Sequence, residues 1–118
     1  MKLFPRLILA LTLLVGGTGI AMAENWGAIA VGPRGAYGWA VDFPSRAAAE
    51  AAALRECGGS CTRKLSFADA CAAYATTPNM DFGWAVRDSK EDAQLVAMQE
   101  CSKYGQGCQV RVWGCTTR

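Results

Sequence analysis

The four residues Gly38-Trp39-Ala40-Val41 return 45 positions later as Gly83-Trp84-Ala85-Val86. Around them Ala28 falls on Ala73, Ala30 on Ala75, Pro33 on Pro78 and Tyr37 on Phe82. One residue is then dropped, and Ser45 meets Ser89, Arg46 meets Lys90, Ala49 meets Ala93, Ala53 meets Ala97, Glu56 meets Glu100 and Cys57 meets Cys101. After a loop longer by three in the second copy, Cys61 meets Cys108 and Leu65 meets Val112. Matches at Cys, Trp, Gly and Pro in one order mark a duplication, with copies at 26–67 and 71–115. Two copies are too few to stack and cap as a solenoid. The pattern therefore predicts one domain, 24–118, with internal pseudo-symmetry.

Each copy reads as strand, turn, strand, helix, strand. Trp26 to Val31 and Tyr37 to Phe43 are short runs of aromatic and β-branched residues around Gly32-Pro33-Arg34-Gly35, where Pro presets φ and Gly is free to take φ > 0. In the second copy Cys71 to Thr76 and Phe82 to Arg87 flank Thr77-Pro78-Asn79. Ser45 and Ser89 are placed to cap helices over Arg46 to Cys57 and Lys90 to Ser102, with Asp92 three residues after its cap. The closing strands are Thr62 to Phe67 and Gln109 to Trp113. Ala49, Ala52, Ala53 and Cys57 share one helix face, as do Ala93, Val96, Ala97 and Cys101. Such thin faces let a helix lie close on the small residues Ala28, Ala30, Ala40, Ala73, Ala75 and Ala85. The predicted class is α+β: two pseudo-symmetric β-β-α-β units in one disulfide-stapled domain, a sheet with two Ala-rich helices.

Residues 1–23 read as a secretory signal peptide. Lys2 and Arg6 supply its positive start, Leu7 to Val15 its apolar core and Ala21-Met22-Ala23 its cleavage site. Gly16, Gly17 and Thr18 interrupt the apolar run short of the ~20 residues needed to span a bilayer, so no stable membrane insertion is expected after cleavage. The full chain carries 12 basic and 10 acidic residues; without Lys2 and Arg6 ten basic residues face ten acidic ones. A neutral chain with scattered charges lacks the basic stripe that nucleic acid requires. The reading is a periplasmic or secreted protein.

Six cysteines support that compartment: Cys57, Cys61, Cys71, Cys101, Cys108 and Cys115. An even count in an exported chain of this size reads as three disulfides. A metal site would call for Cys and His in short paired spacings, and the chain has no His and no C-x-x-C. Six cysteines allow fifteen pairings. The repeat makes Cys57/Cys101 and Cys61/Cys108 equivalent, which favours Cys57–Cys61, Cys101–Cys108 and Cys71–Cys115. Gly58-Gly59 can turn the chain back between the first two.

Strand alternation sends Trp39 and Val41 to one face and Gly38 and Ala40 to the other, and Trp84 and Val86 behave alike. If the helices cover the small-residue face of a two-layer domain, the aromatic face stays open. Trp39, Trp84, Ile29, Tyr74 and Trp113 would then share a binding surface. The alternatives are that both helices pack on the Trp side, that Trp39 and Trp84 fill the core, or that this face forms a dimer interface. Without His no Ser-His-Asp or Cys-His arrangement exists, and oxidised cysteines offer no thiol nucleophile. The remaining catalytic candidates are the carboxylate pairs Asp42 with Asp88 and Glu56 with Glu100, set against ordinary helix-dipole and solvated roles for the acidic residues.

Trp26-Gly27-Ala28-Ile29-Ala30-Val31, Gly35-Ala36-Tyr37-Gly38 and the run Ser45-Arg46-Ala47-Ala48-Ala49-Glu50 through to Cys57 resemble a family of small exported bacterial domains, domain of unknown function 4189, over nearly all of Trp26 to Cys115. The resemblance implies an exported, disulfide-bearing domain and assigns no catalytic residue. The function expected is a non-enzymatic binding or inhibitor-type module, without cofactor, acting on another envelope or secreted protein. Its anchors would be Trp39, Trp84, Trp113 and Tyr37, with Arg34 at a hairpin tip. The rivals are a small cell-envelope hydrolase using the paired carboxylates and a self-associating envelope component.

Overall fold

The structure, a computed structural model, describes residues 25–116; the signal-peptide reading of 1–23 lies outside them. The first copy folds as β1 (Trp26–Val31), β2 (Tyr37–Phe43), α1 (Arg46–Glu56) and β3 (Arg63–Ala68). The second folds as β4 (Cys71–Thr76), β5 (Phe82–Arg87), α2 (Lys90–Ser102) and β6 (Gln109–Cys115). Both copies thus run β-β-α-β, as the repeat predicts. Each makes its own three-stranded antiparallel sheet, in the orders β2-β1-β3 and β5-β4-β6.

The Gly of the repeated motif has a packing reason. A Cβ on Gly38 would meet the carbonyl of Ala53 and the amide nitrogen of Cys57 at under 3 Å. One on Gly83 would meet the carbonyl of Ala97 and the amide nitrogen of Cys101 in the same way. The helices lie so close on β2 and β5 that only hydrogen fits between them. Ala49, Ala52 and Ala53 pack on Ala28, Ala30 and Ala40, and Ala93, Ala97 and Cys101 pack on Ala73, Ala75 and Ala85. The Ser45 hydroxyl accepts from the Ala48 amide at 3.1 Å, and the Ser89 hydroxyl from that of Asp92 at 3.1 Å, so both serines act as N-caps.

The expectation of an open aromatic face in a two-layer domain is corrected here. The opposite faces of the two sheets pack on each other, giving four layers in the order α1, first sheet, second sheet, α2. Ile29, Val31, Phe67, Ala72, Tyr74 and Val112 form the shared core, flanked by half-buried Val41, Phe82, Trp84 and Val86. Neither sheet could leave such a face in water, and its twin supplies the matching apolar surface. Edge strand β2 approaches β6, and β3 lies beside β4. The Arg63 guanidinium of β3 reaches over the Phe82 and Trp84 rings of β5.

Three disulfides close the fold: Cys57–Cys61, Cys71–Cys115 and Cys101–Cys108. These are the pairs that pseudo-symmetry favours. Gly58 and Gly59, at φ 77° and 90°, return the chain from α1 to the first of them. Cys71 and Cys115 stand opposite each other in the β4–β6 register. No helix among the described residues is long and apolar enough to cross a membrane.

Candidate functional site

The sheet-on-sheet arrangement disperses the surface expected from alternation alone. Ile29 and Tyr74 are buried in the shared core. Trp113 points to the helix-bearing side, because Val112 before it faces the core; the Lys90 ammonium sits 4.4 Å from its ring centroid. Arg46, the repeat partner of Lys90, covers Trp26 at 4.7 Å on the other outer face. Trp39 and Tyr37 remain on the core-facing side of β2, 41% and 38% exposed at its rim. Trp84, the repeat partner of Trp39, is half-buried at the opposite rim, beneath Arg63.

The carboxylate pairs are not brought together. Glu56 ends α1 and Glu100 lies near the end of α2, so two sheets stand between them. Asp42 is on β2 and Asp88 follows β5, at edges belonging to different sheets. Glu100 accepts a hydrogen bond from the Lys103 ammonium at 2.9 Å, and that bond raises the Lys103 pKa. Among the described residues no group of three or more His, Cys, Asp or Glu side chains could hold a metal ion.

What the fold does build is a cleft beside β5. A hollow of about 440 Å³ is bounded by Arg63 from β3, by Met80 through Trp84 leading into β5 and by Glu100 and Tyr104 from the α2 side. A second, of about 400 Å³, continues it past Arg63, Met80 and Phe82 to the Gly32–Arg34 turn. Because strands of both sheets and one outer helix line the first hollow together, it runs past the unpaired edge of β5. Among the described residues that strand is hydrogen-bonded only to β4.

The cleft floor is aromatic and its chemistry is set by guanidinium groups. Phe82 and Trp84 meet edge to face at 5.7 Å between centroids, and Arg63 lies 5.5 Å and 5.4 Å from the two rings. Cation–π attraction to both rings favours this placement of the guanidinium. Among the described residues neither Arg63 nor Arg34 is paired with a carboxylate. On the other lip Asp81 accepts from the Thr77 hydroxyl at 3.3 Å and Glu100 engages Lys103.

Behind the floor the rings continue inward. Tyr74 lies 5.8 Å from Phe82 and 5.5 Å from Tyr37. Burial pushes the Tyr74 hydroxyl above its ordinary pKa of 10.0; Tyr37 adds to the rise and Arg111 opposes it. The cleft is therefore bipolar, with cations at the turn end, carboxylates near α2 and aromatic rings between.

Of the five anchors expected from sequence, Trp84 and Arg34 line this cleft, whereas Trp39, Tyr37 and Trp113 lie elsewhere. Sequence reasoning missed Arg63, Met80, Phe82 and Tyr104. A signal for Arg63 was present: alternation places it on the same strand face as Leu65 and Phe67, and its partner in the second copy is Val110. A charged residue at a position the other repeat keeps apolar marks where the halves have diverged.

Comparison with known proteins places the chain in a wider group. Residues 26–115 match the family described as Domain of unknown function (DUF4189). The chain is 32% identical over 93 residues to protein Rv1269c of Mycobacterium tuberculosis, covering 79% of this chain and 71% of that protein. Protein Mb1300c of Mycobacterium bovis matches to the same extent. Among solved structures, the NMR structure of Rv1813c from Mycobacterium tuberculosis superposes with a TM-score of 0.63 at 28% identity, covering 78% of this chain and 75% of that one.

Proposed function

The chain belongs to the DUF4189 family, and from that premise we propose that it is an exported, non-catalytic binding module that engages another envelope or secreted protein. The observation that carries this reading is the cleft beside β5, where the Arg63 guanidinium stands over the Phe82 and Trp84 rings inside a disulfide-braced frame. Aromatic and Arg side chains in a preformed recess are the residue types that dominate protein recognition. A rigid frame spares the binding event much of the ordering cost that flexible surfaces incur. The three disulfides support an oxidising destination.

Affinity capture from an envelope extract tests the reading. Wild type and a Trp39→Ala, Trp84→Ala double variant, matched for folded content by circular dichroism, are compared side by side. A partner retained by wild type and lost by the variant is the expected result. Equal capture by both would remove the aromatic residues from the binding surface. Cell-wall hydrolysis by pure protein that disappears in Asp42→Asn or Asp88→Asn would replace the reading with the enzymatic one.

A further inference from the structure

We infer that the cleft beside β5 accepts an extended segment of a partner polypeptide, added as a fourth strand to the second sheet, with an acidic side chain on Arg63. This rests on the binding-module reading and names the mode and chemistry of the contact.

The four edge strands differ in how they are guarded against pairing. The β1–β2 register shifts between Trp26 and Ala28, and Asp42 on β2 stands at φ 62°. The β4–β6 register shifts between Tyr74 and Ala75, opposite a strand carrying Arg111. On β3, Arg63 and Lys64 are adjacent, Lys64 lying 3.3 Å from Glu50. Bulges and charges of this kind are the usual protection of an open edge. The edge strand β5 has no bulge: its register with β4 is unbroken from Cys71↔Arg87 to Thr76↔Phe82. Its one charge is confined to its last residue, Arg87, whose guanidinium donates to the Val86 carbonyl at 2.7 Å, and Phe82 through Val86 carry none. That uncharged, unbulged stretch is also the one that the cleft exposes.

The walls then fix what such a strand must carry. Side chains of an added strand alternate between the two faces of the sheet. Those on the inner side meet Arg63, Phe82 and Trp84, and those on the outer side meet Glu100 and Tyr104. An acidic residue facing in and a basic residue facing out, next to each other in sequence, match both walls. A carboxylate within reach of the Arg63 guanidinium makes charge-assisted hydrogen bonds with its N–H donors. Arg34, at the far end of the cleft, and Met80, which lines both hollows, are held in the left-handed region at φ 60° and 71°. Strained backbone of this kind persists where the surroundings fix it, often at ligand clamps.

The test uses the exported chain and four fluorescein-labelled nonapeptides, each of alternating Val and Thr, capped at both ends. Their central pairs are Glu-Lys, Gln-Lys, Glu-Gln and Lys-Lys. Fluorescence anisotropy should show the Glu-Lys peptide binding about tenfold or more tighter than the Gln-Lys peptide. Arg63→Ala should abolish that difference, and amide exchange should slow along Phe82–Val86 when the Glu-Lys peptide is bound. Equal binding of Glu and Gln peptides, a preference that survives Arg63→Ala, no binding at all, or no slowing at β5 would each overturn strand addition. If strand addition fails while the envelope partner is still lost by the Trp39→Ala, Trp84→Ala variant, the binding module stands and only its mode is wrong. If both fail, the premise falls with it.

Discussion

A single missing side chain explains why the repeated motif begins with Gly. At positions 38 and 83 the strand runs under a helix at a distance that leaves no room for a methyl group, and the obstructing atoms are backbone atoms. Helix backbone yields less readily than a side-chain tip. Gly83→Ala is therefore expected to cost about 1–3 kcal/mol of stability through overpacking. Urea unfolding followed by fluorescence would show this as a lower midpoint with an unchanged slope. At the next residue the repeat parts ways with itself: Trp84 lies under Arg63, whereas Trp39 lies where a Cβ added to Gly114 of β6 would meet its ring at 3.4 Å, and is 41% exposed. Identical letters in the two copies have thus acquired different surroundings.

The helices show the opposite tendency, keeping equivalent roles in both halves. Each starts at a Ser that caps it, and each lays an Ala stripe on its own sheet. Replacing Ser45 or Ser89 by Ala should lower stability by about 1 kcal/mol each. The two effects should add in the double variant, because the caps lie on opposite outer layers without shared partners; chemical denaturation of both single variants and the double variant would check this. These elements were legible in the sequence because their signals are local. Turn prolines, capping serines, the small-residue stripe and the spacing of Cys57 and Cys61 each involve residues close in the chain. The covering of the aromatic faces was not legible, because alternation states which side chains share a face and not what lies over it. For the same reason Trp84 could be singled out while its meeting with Arg63, made only by the stacking of the two sheets, could not; Phe82, two residues before Trp84 on the same face of β5, was within reach of alternation alone. Trp113 was assigned to the wrong company: its alternation partner Val112 points into the core and turns the indole outward.

Across the whole molecule the disulfides divide the labour unequally. Cys57–Cys61 and Cys101–Cys108 span 4 and 7 positions, whereas Cys71–Cys115 spans 44. If loop-closure entropy dominates, the long link contributes about 4 kcal/mol and the Cys57–Cys61 link about 2. The Cys71→Ala, Cys115→Ala variant should therefore lose about twice the stability of the Cys57→Ala, Cys61→Ala variant, as read from equilibrium unfolding of each. The long link also decides how the molecule responds to being pulled. Tension entering near Asn25 and leaving near Thr116 crosses from Cys71 to Cys115 through sulfur, so residues 72–114 carry none of it. The whole stretch that forms β5 and its neighbouring helix hangs off the load path like a pendant. A mechanical tug between the ends would unravel the first half and leave the second intact.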